Sequence, residues 1–421
     1  MVEHTGDPLT LMTRLAGSGL FGDYVVYERP DSYTFAGGVL GEVVLDAGTV
    51  HTRWPGAAPV SRPWRGNAAA ALREAFAAAP PGWNAYGWVA FEFAAPAPSG
   101  RLAHLVVPRV EVRTGEGAAR VTGTDPAETA RVAALLAEPG AAPAGLPDPV
   151  DVRVGGEEYR ARVARAVEEI RAGLYQKVIV SRRLDVPFPV DVVATYARGR
   201  GANTPARSFL LDLGGFQATG FSPEVLASVD RSGRVMTQPL AGTRAFGSGG
   251  EADARTRREL ETDPKEIFEH AVSVRSSQDE LYGVCEPGTV GVTGFMTVKE
   301  RGSVQHLGST VSGVLAPGRS CWDALDALFP GVTASGIPKP EAIEAIGRLE
   351  EPRGLYAGAV VAVSEDGALD SALVLRALYR LDGRAWLRAG AGIVSGSTPE
   401  REYEETCEKL SSIAPHVVPL P

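Results

Sequence analysis

The stretch SFLLDLGGFQATGFSPEVLASVD, residues 208–230, sets two β-rich runs on either side of Gly214-Gly215. A glycine pair in that setting signals a hairpin, because tight hairpin turns need residues that tolerate positive φ. After it, strand and helix patterns alternate irregularly, with neither the βαβ rhythm of a doubly wound sheet nor a repeat of roughly 20–50 residues. The pattern predicts an α+β fold built on large, mainly antiparallel sheets.

The first 130 residues carry short strand-like runs (DYVVYE, GEVVLD, GWVAFEF, LAHLVVPRVEVR) broken by Pro/Gly/Ala-rich turns, with one Ala-rich helix near 67–79. The unperiodic segment AEPGAAPAGLPDP, residues 137–149, is the candidate linker. The expected organisation is an N-terminal β-rich lobe over 1–136, a linker over 137–150 and a catalytic lobe over 151–421. That last lobe opens with an amphipathic helix, EEYRARVARAVEEIRAGL, and a strand, YQKVIVSRRLDV.

A net charge of -9 and no run of Lys or Arg leave no basic field for nucleic acid or anionic lipid, so neither is an expected partner. No stretch has the length of a membrane span, and the N-terminus lacks the basic region and long apolar core of a signal peptide. Three cysteines, odd in number and far apart, suggest neither a disulfide framework nor a zinc site. A cytoplasmic protein acting on a small molecule is expected.

Of 42 basic residues only five are lysine: Lys177, Lys265, Lys299, Lys339 and Lys409. Lys177 interrupts an apolar run. The commoner explanation is an edge lysine reaching out to water. In a closed pocket, desolvation would instead favour a neutral amine able to act as general base, and nearby carboxylates would push the other way.

Two Glu-x-x-Glu pairs stand at predicted helix starts. In TDPKEIFEH, Asp263, Pro264 and Glu266 fit an N-terminal capping box, but Glu269, one turn on, has no capping duty, while Ile267, Ala271 and Val274 take the apolar side. In GSTPEREYEETCEKL, Thr398 can cap, Tyr403, Cys407 and Leu410 form a buried stripe, and Glu402 and Glu405 share a neighbouring face. First-turn acids gain about 0.3–1 kcal/mol from the helix dipole, so such residues are common on surfaces. The sharper alternative is that the two helix starts converge and the four carboxylates hold one hard cation such as Mg2+, some of them through water.

Other residues stay open at this level. Glu224, after FSP, is either a solvated turn residue or a carboxyl kept protonated by apolar surroundings. His306 reads first as a core histidine. QPLAGTRAFG and LRAGAGIVSG can bring backbone amides close to an anion, although ordinary turns explain them nearly as well and neither is a dinucleotide or P-loop fingerprint.

Taken in order, YQKVIVSR, FSPEVL, QPLAGTRAFG, DPKEIFEH, GSVQHLGST, FPGVTASGIPK, PRGLYAGAVV, LRAGAGI and EREYEETCEKL resemble the chorismate-utilising enzymes, with a particularly close fit to the salicylate synthases of siderophore pathways. The resemblance covers residues 155–416. It implies two large sheets stacked in a sandwich with helices outside, chorismate as substrate and Mg2+ as cofactor.

By resemblance, Lys177 is the base that activates water for attack at C2, and Glu224 is the acid that protonates the departing C4 hydroxyl. Glu269 and Glu405 match direct metal ligands, and Glu266 and Glu402 match ligands acting through water. Tyr356, Arg376 and Gly392 fall where the family grips the pyruvyl carboxylate; Gly242, Thr243 and Lys409 fall near the ring carboxylate, and His306 beside the reacting ring. An Arg fork suits a planar carboxylate.

Lysine at 177 and alanine at 241 match the water-using branch rather than the ammonia-using one. No LLES-type motif is found, so no glutaminase subunit is expected, and a monomer is. The alternatives are an isochorismate synthase that stops before pyruvate loss, an anthranilate synthase component, and a catalytically silent protein on the same scaffold.

Overall fold

The structure, a computed structural model, describes residues 2–3, 7–115, 117–140, 145–247, 249–302 and 304–421. The predicted hairpin forms between Arg207–Leu213 and Phe216–Ser222, with Gly214 and Gly215 both at positive φ, 61° and 80°. The Ala-rich helix spans Ala68–Phe76, capped by the Asn67 side chain, which accepts from Ala70 N at 2.8 Å.

The described strands form one hydrogen-bonded network of 21 strands, organised around a long antiparallel pair, Ser32–Asp46 and Arg101–Gly115. From the first of these, pairing runs through Tyr24–Arg29, Arg207–Leu213, Phe216–Ser222, Ala377–Leu381, Arg384–Ile393 and Lys177–Val186 to Gly336–Ile337. From the second it runs through Asn84–Val89, Ala359–Ser364, Leu369–Leu373, Val225–Val229 and Arg234–Thr237 to Val304–Val314, which also pairs with Leu240–Ala245 and Gly291–Arg301. One apolar core combines Val180, Phe209 and Leu211 of the first wing with Leu226, Val360 and Leu373 of the second. The fold is therefore α+β, with two large antiparallel sheets stacked on each other. Unlike two separate sheets, the wings stay joined through their longest strands.

The chain crosses between the wings at two adjacent places. Pro223 and Glu224 link Phe216–Ser222 to Val225–Val229, and residues 374–376 link Leu369–Leu373 to Ala377–Leu381. The crossings are tied together: Ser222 Oγ donates to Leu373 O at 2.5 Å, and Phe221 N donates to Arg376 O at 3.1 Å. Beside them, Arg207 grips Asp370 with two bonds of 2.7 and 2.8 Å, and Tyr27 OH donates to the same carboxylate at 2.6 Å. All three residues are buried.

Residues 1–136 contribute to both wings, through Tyr24–Arg29 against Arg207–Leu213 and Asn84–Val89 against Ala359–Ser364. We propose a division into lobes at 137–150, of which residues 141–144 lie outside the described residues. Cys285, Cys321 and Cys407 are buried and unpaired. Among the described residues no helix is long and apolar enough to cross a membrane.

Candidate active site

Lys177 is the first residue of its strand, and only 6% of it is exposed. The edge-lysine explanation therefore fails: its Nζ points inward and pairs directly with Glu269 Oε1. Gly392 lies opposite Ile179 in the neighbouring strand. A Cβ at Gly392 would stand 3.1 Å from Lys177 Cε and 3.6 Å from Glu269 Oε1, so glycine leaves room for the pair.

Glu224 occupies the first crossing and is 4% exposed, not a solvated turn residue. Burial pushes its carboxyl up to about 8, against weaker opposition from a Thr333 hydroxyl bond of 2.8 Å, the Leu240 backbone and the charge of Lys177. At neutral pH it holds a proton. Thr333 escaped notice as a site residue, although it lies inside FPGVTASGIPK; nothing in its local pattern shows that the loop folds back onto Glu224.

Arg376 occupies the second crossing, with φ of 52°, a left-handed conformation that costs a non-glycine residue about 1–2 kcal/mol. Its Nη2 donates to His306 Nε2 at 2.8 Å, and Nδ1 of the same ring lies 2.8 Å from Gly242 O and 3.2 Å from the Thr243 hydroxyl. A guanidinium only donates and a carbonyl only accepts, so the proton sits on Nδ1. Burial, followed by the Arg376 charge, lowers the ring to about 3, and His306 is neutral. Burial, followed by Arg301, lowers Arg376 to about 10.

The helix Pro264–Tyr282 is capped by Asp263, whose Oδ1 accepts from Lys265 N at 2.9 Å and from Glu266 N at 3.4 Å. Only this half of the capping box forms: Asp263 N bonds Glu259 O, and Glu266 Oε1 turns instead to Arg244 Nη1 at 3.1 Å. The buried face is His270, Ser273, Val274, Ser277 and Leu281, a shift from the predicted stripe in which Ile267 and Ala271 are half-buried. Gly242, at φ 67°, lets Glu266 approach, since a Cβ there would stand 2.9 Å from Glu266 Oε2.

In the helix Pro399–Leu410, Thr398 sits at the cap position without a side-chain bond, and Glu402 joins Tyr403, Thr406, Cys407 and Leu410 on the buried face. Burial, and then repulsion from Glu405, raise the Glu402 carboxyl. Burial works most strongly to raise Glu269 and Glu405, but the charge and hydrogen bond of Lys177 or Lys409, together with Lys265 and other cations, hold both below the usual range. Lys409 Nζ reaches Glu405 Oε1 and Gly390 O, both at 2.8 Å. The two acidic pairs feel one another: Glu405 opposes ionisation of Glu269, while Lys265 favours it for Glu269, Glu402 and Glu405.

Tyr356 is buried, and its hydroxyl would stand 2.9 Å from a Cβ at Gly390. Among the described residues no three His, Cys, Asp or Glu side chains are gathered closely enough to hold an ion together. Lys177, Arg244 and Lys409 neutralise Glu269, Glu266 and Glu405 individually.

The model of the chorismate binding enzyme family matches residues 31–415. The chain belongs to this family. Chorismate binding enzymes among its relatives include a salicylate synthase of Mycolicibacterium paratuberculosis, 50% identical over 408 residues and covering 94% of this chain and 90% of that one. Anthranilate synthase component 1 of Streptomyces coelicolor is 43% identical over 255 residues, 60% of this chain and 50% of that one. Among solved structures, anthranilate synthase component I from Streptococcus pneumoniae superposes with a TM-score of 0.79 at 26% identity, covering 92% of this chain and 93% of that one. The menaquinone-specific isochorismate synthase from Escherichia coli shares the fold at 22% identity, with a TM-score of 0.75 over 98% of this chain and 91% of that one. As a chorismate binding enzyme the chain is an enzyme with this family's fold.

Proposed function

We propose that the protein is a Mg2+-dependent salicylate synthase, converting chorismate to salicylate and pyruvate through isochorismate and supplying salicylate for a siderophore. The observation that carries this reading is the burial of both Lys177 and Glu224, two titratable side chains near enough for the charge of one to act on the other. The 50% identity to a salicylate synthase over 94% of the chain supports the same choice.

In the first step Lys177 acts as a neutral amine, so the ammonium paired with Glu269 first gives up a proton. The amine then takes a proton from water as its oxygen bonds to C2, the two ring double bonds shift, and the C4–O bond breaks. Glu224 gives its proton to the departing hydroxyl, so one water enters and one leaves. In the second step, hydrogen passes from C2 to the enolpyruvyl methylene, the C3–O bond breaks, and pyruvate departs from an aromatic ring. Arg376, with Tyr356 and the Gly392 amide, suits the pyruvyl carboxylate; Gly242, Thr243 and Lys409 suit the ring carboxylate. His306, neutral and bonded to Arg376 and Gly242, suits orienting the ring rather than carrying charge.

Four carboxylates, three of them balanced by cations of the chain, have the hard oxygen donors that Mg2+ takes, so Glu269, Glu405, Glu266 and Glu402 fit it chemically. When bound, the ion supplies charge compensation for the ring carboxylate of the substrate. The same reading has the enzyme working as a cytoplasmic monomer without a glutaminase subunit.

Chromatography of products after mixing purified protein with chorismate, with and without Mg2+, tests the proposal. Metal-dependent salicylate plus pyruvate is the expected result. Isochorismate alone would mark an enzyme that stops after the first step, anthranilate formed with ammonium would mark the ammonia-using branch, and unchanged chorismate would sink the reading.

A further inference from the structure

The strand Lys177–Val186 pairs with Arg384–Ile393 along one side, but on the other side, among the described residues, only the short strand Gly336–Ile337 pairs with it, opposite Val178 and Lys177. Further along that open side, side chains replace the missing strand. Ser181 N donates to Glu350 Oε1 at 2.5 Å, and Ile179 O accepts from Arg353 Nη2 at 2.7 Å.

The Glu350 side chain has no solvent exposure and accepts five bonds. Besides Ser181 N, they come from Ser181 Oγ at 2.6 Å, Arg353 Nε and Nη2 at 3.0 Å each, and Arg388 Nη2 at 2.9 Å. Arg353 continues outward, its Nη1 donating at 2.9 Å to Ala334 O, the residue after Thr333. Glu350 thus reaches, through Ser181 and Ile179, the strand that begins with Lys177. Through Arg353 it reaches the loop whose threonine bonds Glu224.

A buried ion cluster of this kind is weak evidence for stability, because desolvation of the charges offsets most of their attraction. Its geometry, by contrast, converges on the two groups that the proposed function uses as base and acid. We propose that Glu350 is a positioning residue that aligns Lys177 and Glu224 for the water-transfer step. This inference rests on the reading of those two residues given above. Misplacement of a catalytic group by about 1 Å costs on the order of 10²-fold in rate.

The test uses the full-length enzyme with Glu350→Gln, which keeps the shape and removes the charge. Melting temperature, kcat and KM are measured with chorismate and, separately, with isochorismate supplied directly. In the proposed mechanism pyruvate elimination uses neither Lys177 nor Glu224. The expected result is a fall in kcat of about tenfold or more with chorismate, and a change of at most roughly threefold with isochorismate.

A cluster that only supports the fold would lower both activities together, in step with the folded fraction. Equal losses, or none, overturn the inference while leaving the functional reading intact. A wild-type enzyme that does not convert chorismate removes the functional reading, and this inference with it. Should the Gln variant not fold, Glu350→Asp, which keeps the charge on a shorter arm, carries the same two-substrate comparison.

Discussion

Lys177 Nζ rests directly on Oε1 of Glu269, an ion pair that joins the first residue of a buried strand to the helix bearing one of the two acidic pairs. One carboxylate therefore serves both the proposed base and the proposed metal site.

Replacing Lys177 with Ala should lower isochorismate formation about 10²–10⁴-fold, the range of a lost general base, while Mg2+ binding by calorimetry persists. Wild-type turnover in this variant would remove Lys177 as the base.

Glu224 gives the activity an alkaline limit. Its carboxyl must be protonated to act, so kcat/KM should decline as pH rises through about 8, and Glu224→Gln should lose about 10²–10⁴-fold along with that limb. Stability follows the same group. The folded pKa lies above the ordinary 4.5, so between 4.5 and about 8 folding takes up a proton, and stability falls as pH rises across that window. Urea midpoints of wild type and the Gln variant, compared at pH 5 and 8, read this directly.

Chelation should abolish product formation, and added Mg2+ should restore it. Glu405→Gln should raise the Mg2+ concentration needed for half-maximal rate by about tenfold or more, as expected for a lost carboxylate ligand. An unchanged metal response would exclude Glu405 from the ion's surroundings.

Gly392→Ala places a methyl group 3.1 Å from Lys177 Cε. The lysine must then shift by a few tenths of an ångström. Activity should fall by about tenfold with little change in melting temperature, because the methyl meets the flexible end of a side chain. A loss of stability without loss of specific activity would contradict this.

Arg207→Met strips the buried Asp370 of its bidentate partner and leaves it the Tyr27 hydroxyl and a looser, 3.9 Å approach of the half-exposed Arg29. Removing one member of such a pair costs about 3–5 kcal/mol, to be read from denaturant unfolding.

The legible parts of the sequence were those governed by short spacings. Gly214-Gly215 announced its hairpin, and the two Glu-x-x-Glu pairs announced helix faces, since three residues span nearly one turn. Burial of Lys177 and protonation of Glu224 have no local signature, because both depend on which distant segments close over them. Thr333, Arg244 and Glu350 take partners from other elements, Glu224, Glu266 and Ser181 among them. The near neighbour Arg353 does not by itself mark Glu350, so no local pattern singles out any of the three. The Pro/Ala/Gly segment at 137–149 reads as a linker by composition, yet strands from both sides of it share both wings.

That sharing has a consequence for how the molecule is made. The strand Asn84–Val89 leaves the ribosome long before Ala359–Ser364, its partner in the second wing, and Tyr24–Arg29 long before Arg207–Leu213. Contacts of such sequence separation form slowly, and until they form, the early strands keep open edges in a growing chain. The early strands must therefore stay soluble until their partners are made, and the candidate site is incomplete until the helix Pro399–Leu410 has emerged.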